Sequence, residues 1–404
     1  MGQFESTNRT YNSNDELINA LIKRECIHSI NVEKVLRSVD RALYYTNDNE
    51  EDPYGDVDWQ LGDVYLYSPS DYATVLECLD LHNGHKFLNI GSGIGYFSTL
   101  AGLLLGVNGV NHGIEINGSL IDIAYQKLEV FKRNSAAIDY FEFCEPVFIK
   151  GNACELMPVG YYDRVYCGAD VQLEVSSFME ALIKIGGVLV MPLKSVLVKV
   201  TRNSEHSWTK FHFTNVSMPD LVVAEKSSSI NVSKFPTVEP LSLQELCRSY
   251  IRASIRNCLN ESQPGLQMLT ICKPKPNKSY DQKWFDDTKS EIIRLQNYLN
   301  EIRVLREETS DLDSTSEDEV IEEDNNGDDV DVEEKNTSEQ CDKSLPNEVM
   351  NDYDTDDEIA EEFIKYRFLS NRKENELSKL LKIKINLLPV PAKLKVFLNY
   401  NRDD

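Results

Sequence analysis

The stretch from Lys86 to Leu105, KFLNIGSGIGYFSTLAGLLL, constrains the fold more than any other part of the chain. A short apolar run (Phe87, Leu88, Ile90) meets three glycines, Gly91, Gly93 and Gly95, and then an apolar pattern of helical period. The expectation is strand, tight turn, helix. Glycine accepts the positive backbone angles of such a turn, and its missing side chain lets a ligand approach the main chain. The helix N-terminus that follows offers unpaired N–H groups to a polar or anionic group. Glu115, in the next apolar run VNHGIEI, comes 20 residues after Gly95. In nucleoside-binding α/β folds an acid at about that distance accepts hydrogen bonds from ribose hydroxyls. The spacing is GxGxG, with Ser92 between the first two glycines, rather than GxGxxG, which favours S-adenosylmethionine over a dinucleotide. A glycine-rich turn without a ligand is the plainer alternative.

From Leu81 to Val200 short apolar strands alternate with helices. The strands are KFLNI, VNHGIEI, EPVFIK, RVYCGA and GVLVMP; the helices lie near 95–105, 118–133 and 175–184. That alternation implies an α/β fold, a parallel sheet covered on both faces, with ligands at the carboxyl ends of its strands. SVLVKVTR and KFHFTNV read as a closing pair of alternating strands. Helical spacing also marks residues 14–46, the segment Leu241 to Leu259, and 281–306.

The formal charge of −25 is concentrated: Glu307 to Glu362 holds 25 acids and two lysines, a net −23. That segment is poor in aromatics, cannot bury enough apolar surface to fold, and is expected to be a disordered linker over 307–360. The rest is near neutral, and its richest basic run is only KPKPNK, so nucleic acid is not an expected partner. Nine cysteines stand without CxxC pairs, and six histidines show no ligand-like spacing. Neither a metal site nor a disulfide framework is expected, and reduced thiols point to a cytoplasmic chain. No apolar run is long enough to span a membrane, and no signal peptide is read. The opening Met1-Gly2-Gln3-Phe4-Glu5-Ser6 fits the N-myristoylation pattern at Gly2. One acyl chain without a basic cluster gives weak, reversible membrane association.

FLNIGSGIGYFSTLAGLLLG, NHGIEIN, FEFCEPVFIKGN, YYDRVYCGA and LIKIGGVLVMP together resemble the protein-L-isoaspartate O-methyltransferase family, and within it the methyltransferase-domain-containing branch that carries a C-terminal extension. The resemblance covers roughly residues 1–260 and 360–404. It implies a Rossmann-like S-adenosylmethionine-dependent methyltransferase fold over 14–235, after a flexible N-terminus at 1–13. Asn89, Gly91, Ser92, Gly93, Gly95, Glu115 and Asn152 are the implied cofactor residues. The parent family methylates the side-chain carboxyl of L-isoaspartate, a reaction that chiefly requires aligning a nucleophile with an activated donor.

Several positions depart from the family pattern. A serine in a short Ser-x-Pro element helps hold the reacting carboxyl in the family; here the segment is Val64-Tyr65-Leu66-Tyr67-Ser68-Pro69. Aligned on the proline, the serine position is Tyr67, and Ser68 sits one place later. A shift of one residue in an extended segment points the side chain the other way. Ser68 is the catalytic candidate if the loop bulges; capping the helix that begins near Ser70 is the alternative. Asn89 stands where many methyltransferases carry an acid, and Gly151-Asn152 replaces Gly-Asp, so charge-assisted contacts to the cofactor are lost. After GVLVMP the turn reads Leu193-Lys194 where a glycine-containing turn is expected.

The extension points to a second role. In SLQELCRSYI, Ser242 is followed by Leu243, Cys247 and Ile251 at i, i+4, i+8, resembling the BC-box that lays a helical stripe in a groove of Elongin B/C. An ordinary packed helix over 241–260 is the alternative. Within 361–404, Leu388-Pro389-Val390-Pro391 precedes Leu394, Phe397 and Leu398 at helical spacing, resembling the cullin box that selects Cullin-5; a Pro-bounded turn is the alternative. The resulting expectation is the substrate-recognition component of an Elongin B/C–Cullin-5 ubiquitin ligase, with isoaspartate-containing proteins as clients. The rival is an active isoaspartyl methyltransferase whose extension is a structural annex.

Overall fold

The computed structural model describes residues 11–45, 52–223, 234–235, 238, 240–272 and 371–402. Gly2, the amphipathic segment 281–306 and the acidic segment 307–360 lie outside them.

Two short helices, α1 (Asn14–Lys23) and α2 (Ile30–Ser38), open the chain, each started by a serine whose hydroxyl accepts a backbone N–H of its first turn. A small hairpin follows, β1 (Trp59–Leu61) with β2 (Val64–Leu66), then helix α3 (Pro69–Leu79). The α/β alternation then begins: β3 (Lys86–Ile90), α4 (Tyr96–Leu105), β4 (Val110–Glu115), α5 (Gly118–Asn134), α6 (Ala137–Tyr140), β5 (Val147–Lys150), β6 (Tyr162–Cys167) and α7 (Leu173–Glu180). The domain closes with β7 (Ile183–Leu193), β8 (Val196–Ser204) and β9 (Ser207–Asn215).

The seven strands are ordered β5-β4-β3-β6-β7-β8-β9, parallel through β7 and antiparallel for the last two pairings. The expected parallel sheet and its closing pair are both present. The sheet feeds two cores because successive side chains of a strand point to opposite faces. Phe87, Tyr166, Val188 and Val190 join the core beneath α1–α4, whereas Leu88, Val165, Cys167, Leu189 and Met191 join the core on the other face. The connection out of β3 runs to β4 on one side, while β6 pairs with β3 on the other. Such a switch point opens a crevice at the strands' carboxyl ends.

The β7–β8 turn is Lys194-Ser195, both with positive φ (51° and 61°), the conformation of a two-residue hairpin usually given to glycine or asparagine. Asp170 holds it, its carboxylate accepting from the Ser195 N–H at 2.8 Å and the Ser195 hydroxyl at 3.2 Å.

Beyond the sheet, α8 (Leu243–Ser262) packs with α9 (Glu376–Leu387) and α10 (Ala392–Leu398) around Leu259, Leu266, Leu377, Leu381, Ile385 and Leu398. A capping box starts α8: the Ser242 hydroxyl accepts from Glu245 N–H, and the Glu245 carboxylate accepts from Ser242 N–H. Polar contacts seat this helical module on α6. Buried Asp139 takes Arg402 at 2.5 and 3.2 Å and also pairs with Arg252, while Arg372 N–H donates to Asn134 carbonyl at 2.9 Å. No described helix is long and apolar enough to cross a membrane.

Candidate functional site

A cavity of about 250 Å³ occupies the crevice at the carboxyl ends of β3, β4 and β6. The turn after β3 forms its floor. Gly91 and Gly93 adopt φ of 70° and 51°, and around Gly93 a built Cβ would meet nothing within 4 Å, so the main chain there stands open. Gly91 faces the Gly168 carbonyl, and Gly168 N–H donates to Ile90 carbonyl at 2.9 Å, which locks the two loops together across the switch point.

Six of the seven residues expected to hold the cofactor line this cavity: Asn89, Gly91, Ser92, Gly93, Glu115 and Asn152. Gly95, the seventh, does not. It begins α4 with φ of 86°, and a Cβ there would lie 3.0 Å from Phe148 and 3.3 Å from Ala124, so its role is the turn and the close packing beneath it. Glu115 is buried, one carboxylate oxygen accepting from Gly93 N–H at 2.9 Å and the other from Asn117 N–H at 3.0 Å. Each oxygen keeps a further lone pair for a ligand hydroxyl. Asn152 is fixed at both ends of its amide, accepting from Cys154 N–H and donating to Val222 carbonyl, each at 2.9 Å.

The catalytic candidate takes the alternative role. Ser68 begins α3: its hydroxyl accepts from Asp71 N–H at 3.1 Å and shares a hydrogen bond with Ser70 at 3.1 Å, and it is not among the cavity's lining residues. The loop does not bulge to bring it in. Tyr67 lines the cavity instead, its hydroxyl donating to Gly168 carbonyl. Burial, and then the neighbouring Tyr72, push its phenol well above the ordinary range, so it stays protonated and remains a donor. Lys194 is likewise absent from the lining; its turn is held by Asp170 through Ser195.

Two parts of the wall carried no sequence signal. Pro219, Asp220, Leu221 and Val222 cross the cavity beyond β9, strapped down by Asp170 N–H to Pro219 carbonyl and Leu221 N–H to Asp170 carbonyl, both 2.8 Å. Tyr72, Tyr96, Phe97 and Tyr166 supply aromatic surface that the periodicity would assign to the core.

The family profile for protein-L-isoaspartate(D-aspartate) O-methyltransferase matches residues 12–218, the whole of this sheet and all of the site except the 219–222 wall. The chain belongs to that family. Among curated relatives, the Dictyostelium discoideum "probable protein-L-isoaspartate O-methyltransferase" is 31% identical over 189 residues, 45% of this chain and 57% of that one, so the match spans little over half of the relative's length. The protein-L-isoaspartate O-methyltransferase of Ignicoccus hospitalis is 25% identical over 47% of this chain and 88% of its own. Of solved structures, the Plasmodium falciparum protein crystallised with S-adenosyl-L-homocysteine is 21% identical over 52% of this chain and 99% of that one, with a TM-score of 0.45.

The methyl donor of such a family is S-adenosylmethionine, and the residues present fit it. Open glycine backbone, a buried acid with spare acceptor capacity and an apolar wall converge on one cavity. Three lining residues also hold buried polar atoms without a protein partner: Asn89 Oδ1, the Ser92 hydroxyl and the Tyr166 hydroxyl. Buried polar atoms are nearly always paired in native proteins, and these three face a cavity where a ligand's polar groups could meet them. Among the described residues no group of three or more His, Cys, Asp or Glu is placed to hold a metal.

Proposed function

We propose that this chain is the substrate-recognition component of an Elongin B/C–Cullin-5 ubiquitin ligase. In this reading its methyltransferase-like domain holds S-adenosylmethionine and receives isoaspartate-containing clients. The observation that carries the reading is the outward face of α8. Leu243 is 77% exposed at the helix start and Cys247 is exposed one turn on, with Leu246 and Tyr250 exposed beside them. Apolar side chains on a face that its own domain leaves uncovered suit insertion into a partner's groove.

Ile251 does not belong to that outward face. It is half-buried against the cluster of Leu259, Leu377 and Leu398. At about 100° per residue, i+8 has turned by about 80° from the starting position, whereas i+7 returns to within about 20°. Tyr250, not Ile251, therefore continues the line begun by Leu243 and Cys247. In the second box, Leu388 and Val390 pack on the same cluster while Pro389 and Pro391 face outward. Leu243, Cys247, Pro389 and Pro391 thus lie on one helical module and are exposed, as the ligase reading requires.

An active isoaspartyl methyltransferase is the second reading, favoured by the intact cofactor cavity. Against it stand Ser68, engaged in a helix cap, and Tyr67, whose hydroxyl is tied to Gly168. Co-purification of the tagged chain with Elongin B/C and Cullin-5, beside Leu243→Asp/Cys247→Asp, separates the two. Capture by the wild type alone supports the ligase reading. Equal capture by both removes the BC-box, and no capture combined with labelled methyl transfer to an isoaspartyl peptide establishes the enzyme.

A further inference from the structure

Six aromatic rings line the cavity: Tyr65, Tyr67, Tyr72, Tyr96, Phe97 and Tyr166. They form a continuous chain of ring contacts, with centroid separations of 4.7 Å for Tyr65–Tyr67, 5.8 Å for Tyr67–Tyr72, 5.4 Å for Tyr72–Tyr96, 5.5 Å for Tyr72–Phe97 and 4.7 Å for Phe97–Tyr166. The charged residues among the described lining are Asp63, Glu115 and Asp220, all acids. Arg41 stands behind this wall. Its guanidinium donates to the Tyr67 carbonyl at 2.7 Å and to the Leu66 carbonyl at 3.4 Å, and it is not part of the lining.

We propose that this wall makes the site selective for the positively charged sulfonium of S-adenosylmethionine over the neutral thioether left when the methyl has gone. The inference rests on the cofactor reading above. A cation entering a cavity loses its hydration, a cost the thioether does not bear. Unless the cavity compensates, the spent product would bind at least as tightly as the donor. Aromatic faces attract a cation, most strongly where water is excluded, and carboxylates act across the same low-dielectric space.

The rings are in a state to do this. Burial pushes the Tyr72 phenol up to about 12 and raises Tyr67, Tyr96 and Tyr166 as well, so all remain neutral phenols at pH 7. The Tyr67 ring is also held in place by its hydrogen bond to Gly168, which lowers the entropy cost of binding against it. A site built this way holds the donor and releases the product, so its occupancy follows the supply of unspent donor.

Calorimetric titration of the full chain at neutral pH with S-adenosylmethionine, S-adenosylhomocysteine and sinefungin, whose ammonium replaces the sulfonium, tests the inference. The expected result is that the two cations bind about tenfold or more tighter than the thioether, a ratio equivalent to about 1.4 kcal/mol. Tyr67→Phe keeps the ratio; Tyr67→Leu brings it to within about twofold. Tyr65→Leu, at a half-buried ring, gives the same reading in a milder form if Tyr67→Leu does not fold. Equal wild-type affinities, or a ratio that survives loss of the ring, overturn this inference alone. Failure of all three ligands to bind overturns the cofactor reading together with it.

Discussion

Asp139 and Arg402 lie 263 residues apart in sequence, yet Arg402 meets both oxygens of the Asp139 carboxylate, at 2.5 and 3.2 Å. Arg252 reaches the same carboxylate from α8 and donates to Leu398 carbonyl at 2.9 Å. All three side chains are buried. One acid on a four-residue helix of the methyltransferase-like domain therefore gathers both pieces of the C-terminal module. Arg256 and Ser249 extend the seam to Glu142.

Removing one partner of a buried charge cluster leaves the others unpaired, at a cost of about 3–5 kcal/mol. Asp139→Asn, which keeps the size but not the charge, should therefore release α8–α10 from the sheet domain. Hydrogen exchange over 376–398 should accelerate strongly while β3 and β4 stay protected. Unchanged protection in the module would show that apolar packing alone seats it.

Acid should act through the same residue. Burial by itself would raise the Asp139 carboxyl, but Arg402 and then Arg252 outweigh it and hold the group down at about 2. A carboxylate depressed in the folded state contributes stability that is present above its unfolded value, about 3.9, and is lost as pH falls toward the folded one. The full difference corresponds to roughly 2.6 kcal/mol, of which about 2 is lost by pH 2. The stability gap between wild type and Asp139→Asn should narrow by about that amount between pH 5 and pH 2. Urea titrations at several pH values measure it, and a constant gap would assign the pairing no ionic role.

Much of the fold was legible because its signals are local. The glycine turn at 91–95 and the strand–helix alternation each lie within one window, and Gly91, Gly93 and Glu115 follow from the turn and the end of the next strand, whereas Asn89 and Asn152 came from the family resemblance. The role of Tyr67 was not legible: it depends on Gly168, 101 residues away, and a tyrosine before Ser68-Pro69 has no spacing that announces that partner. Arg252 and Arg402 look like ordinary surface cations until Asp139 is placed between them. The inward turn of Ile251, by contrast, was available from helix geometry alone, since three residues at i, i+4 and i+8 drift around the axis.

Glu115 fixes the glycine turn from the cavity wall. Its carboxylate fixes Gly93 and Asn117 N–H and keeps capacity for hydroxyls, so Glu115→Ala removes both the anchor and the acceptor. Affinity for S-adenosylmethionine should fall by about 10–100-fold, the scale of losing one or two charge-assisted hydrogen bonds. An unchanged binding isotherm would sink the ribose role.

Ser68 should behave as a cap and nothing more. Ser68→Ala removes the acceptor for Asp71 N–H and should cost about 1 kcal/mol in global stability. The affinity for S-adenosylmethionine should not change, because the hydroxyl stands outside the cavity lining. A weakened cofactor isotherm without loss of stability would return Ser68 to the site.

The two outward prolines separate the partners. Pro391 starts α10 with φ of −54°, and Pro389 stands exposed between Leu388 and Val390, whose side chains anchor the segment on the helical cluster. Pro389→Ala with Pro391→Ala leaves those anchors in place and loosens only the backbone that is offered to a partner. If the ligase reading holds, capture of Elongin B/C through Leu243 and Cys247 on α8 should match that of the wild type. Cullin-5 capture should drop several-fold, since an edge that was rigid must now be ordered on binding. Quantified pull-downs from one lysate, with both partners measured on the same beads, read the two outcomes together. Loss of both partners would mean that the prolines hold the module itself. Retention of both would reduce the segment to a turn that closes α9 before α10.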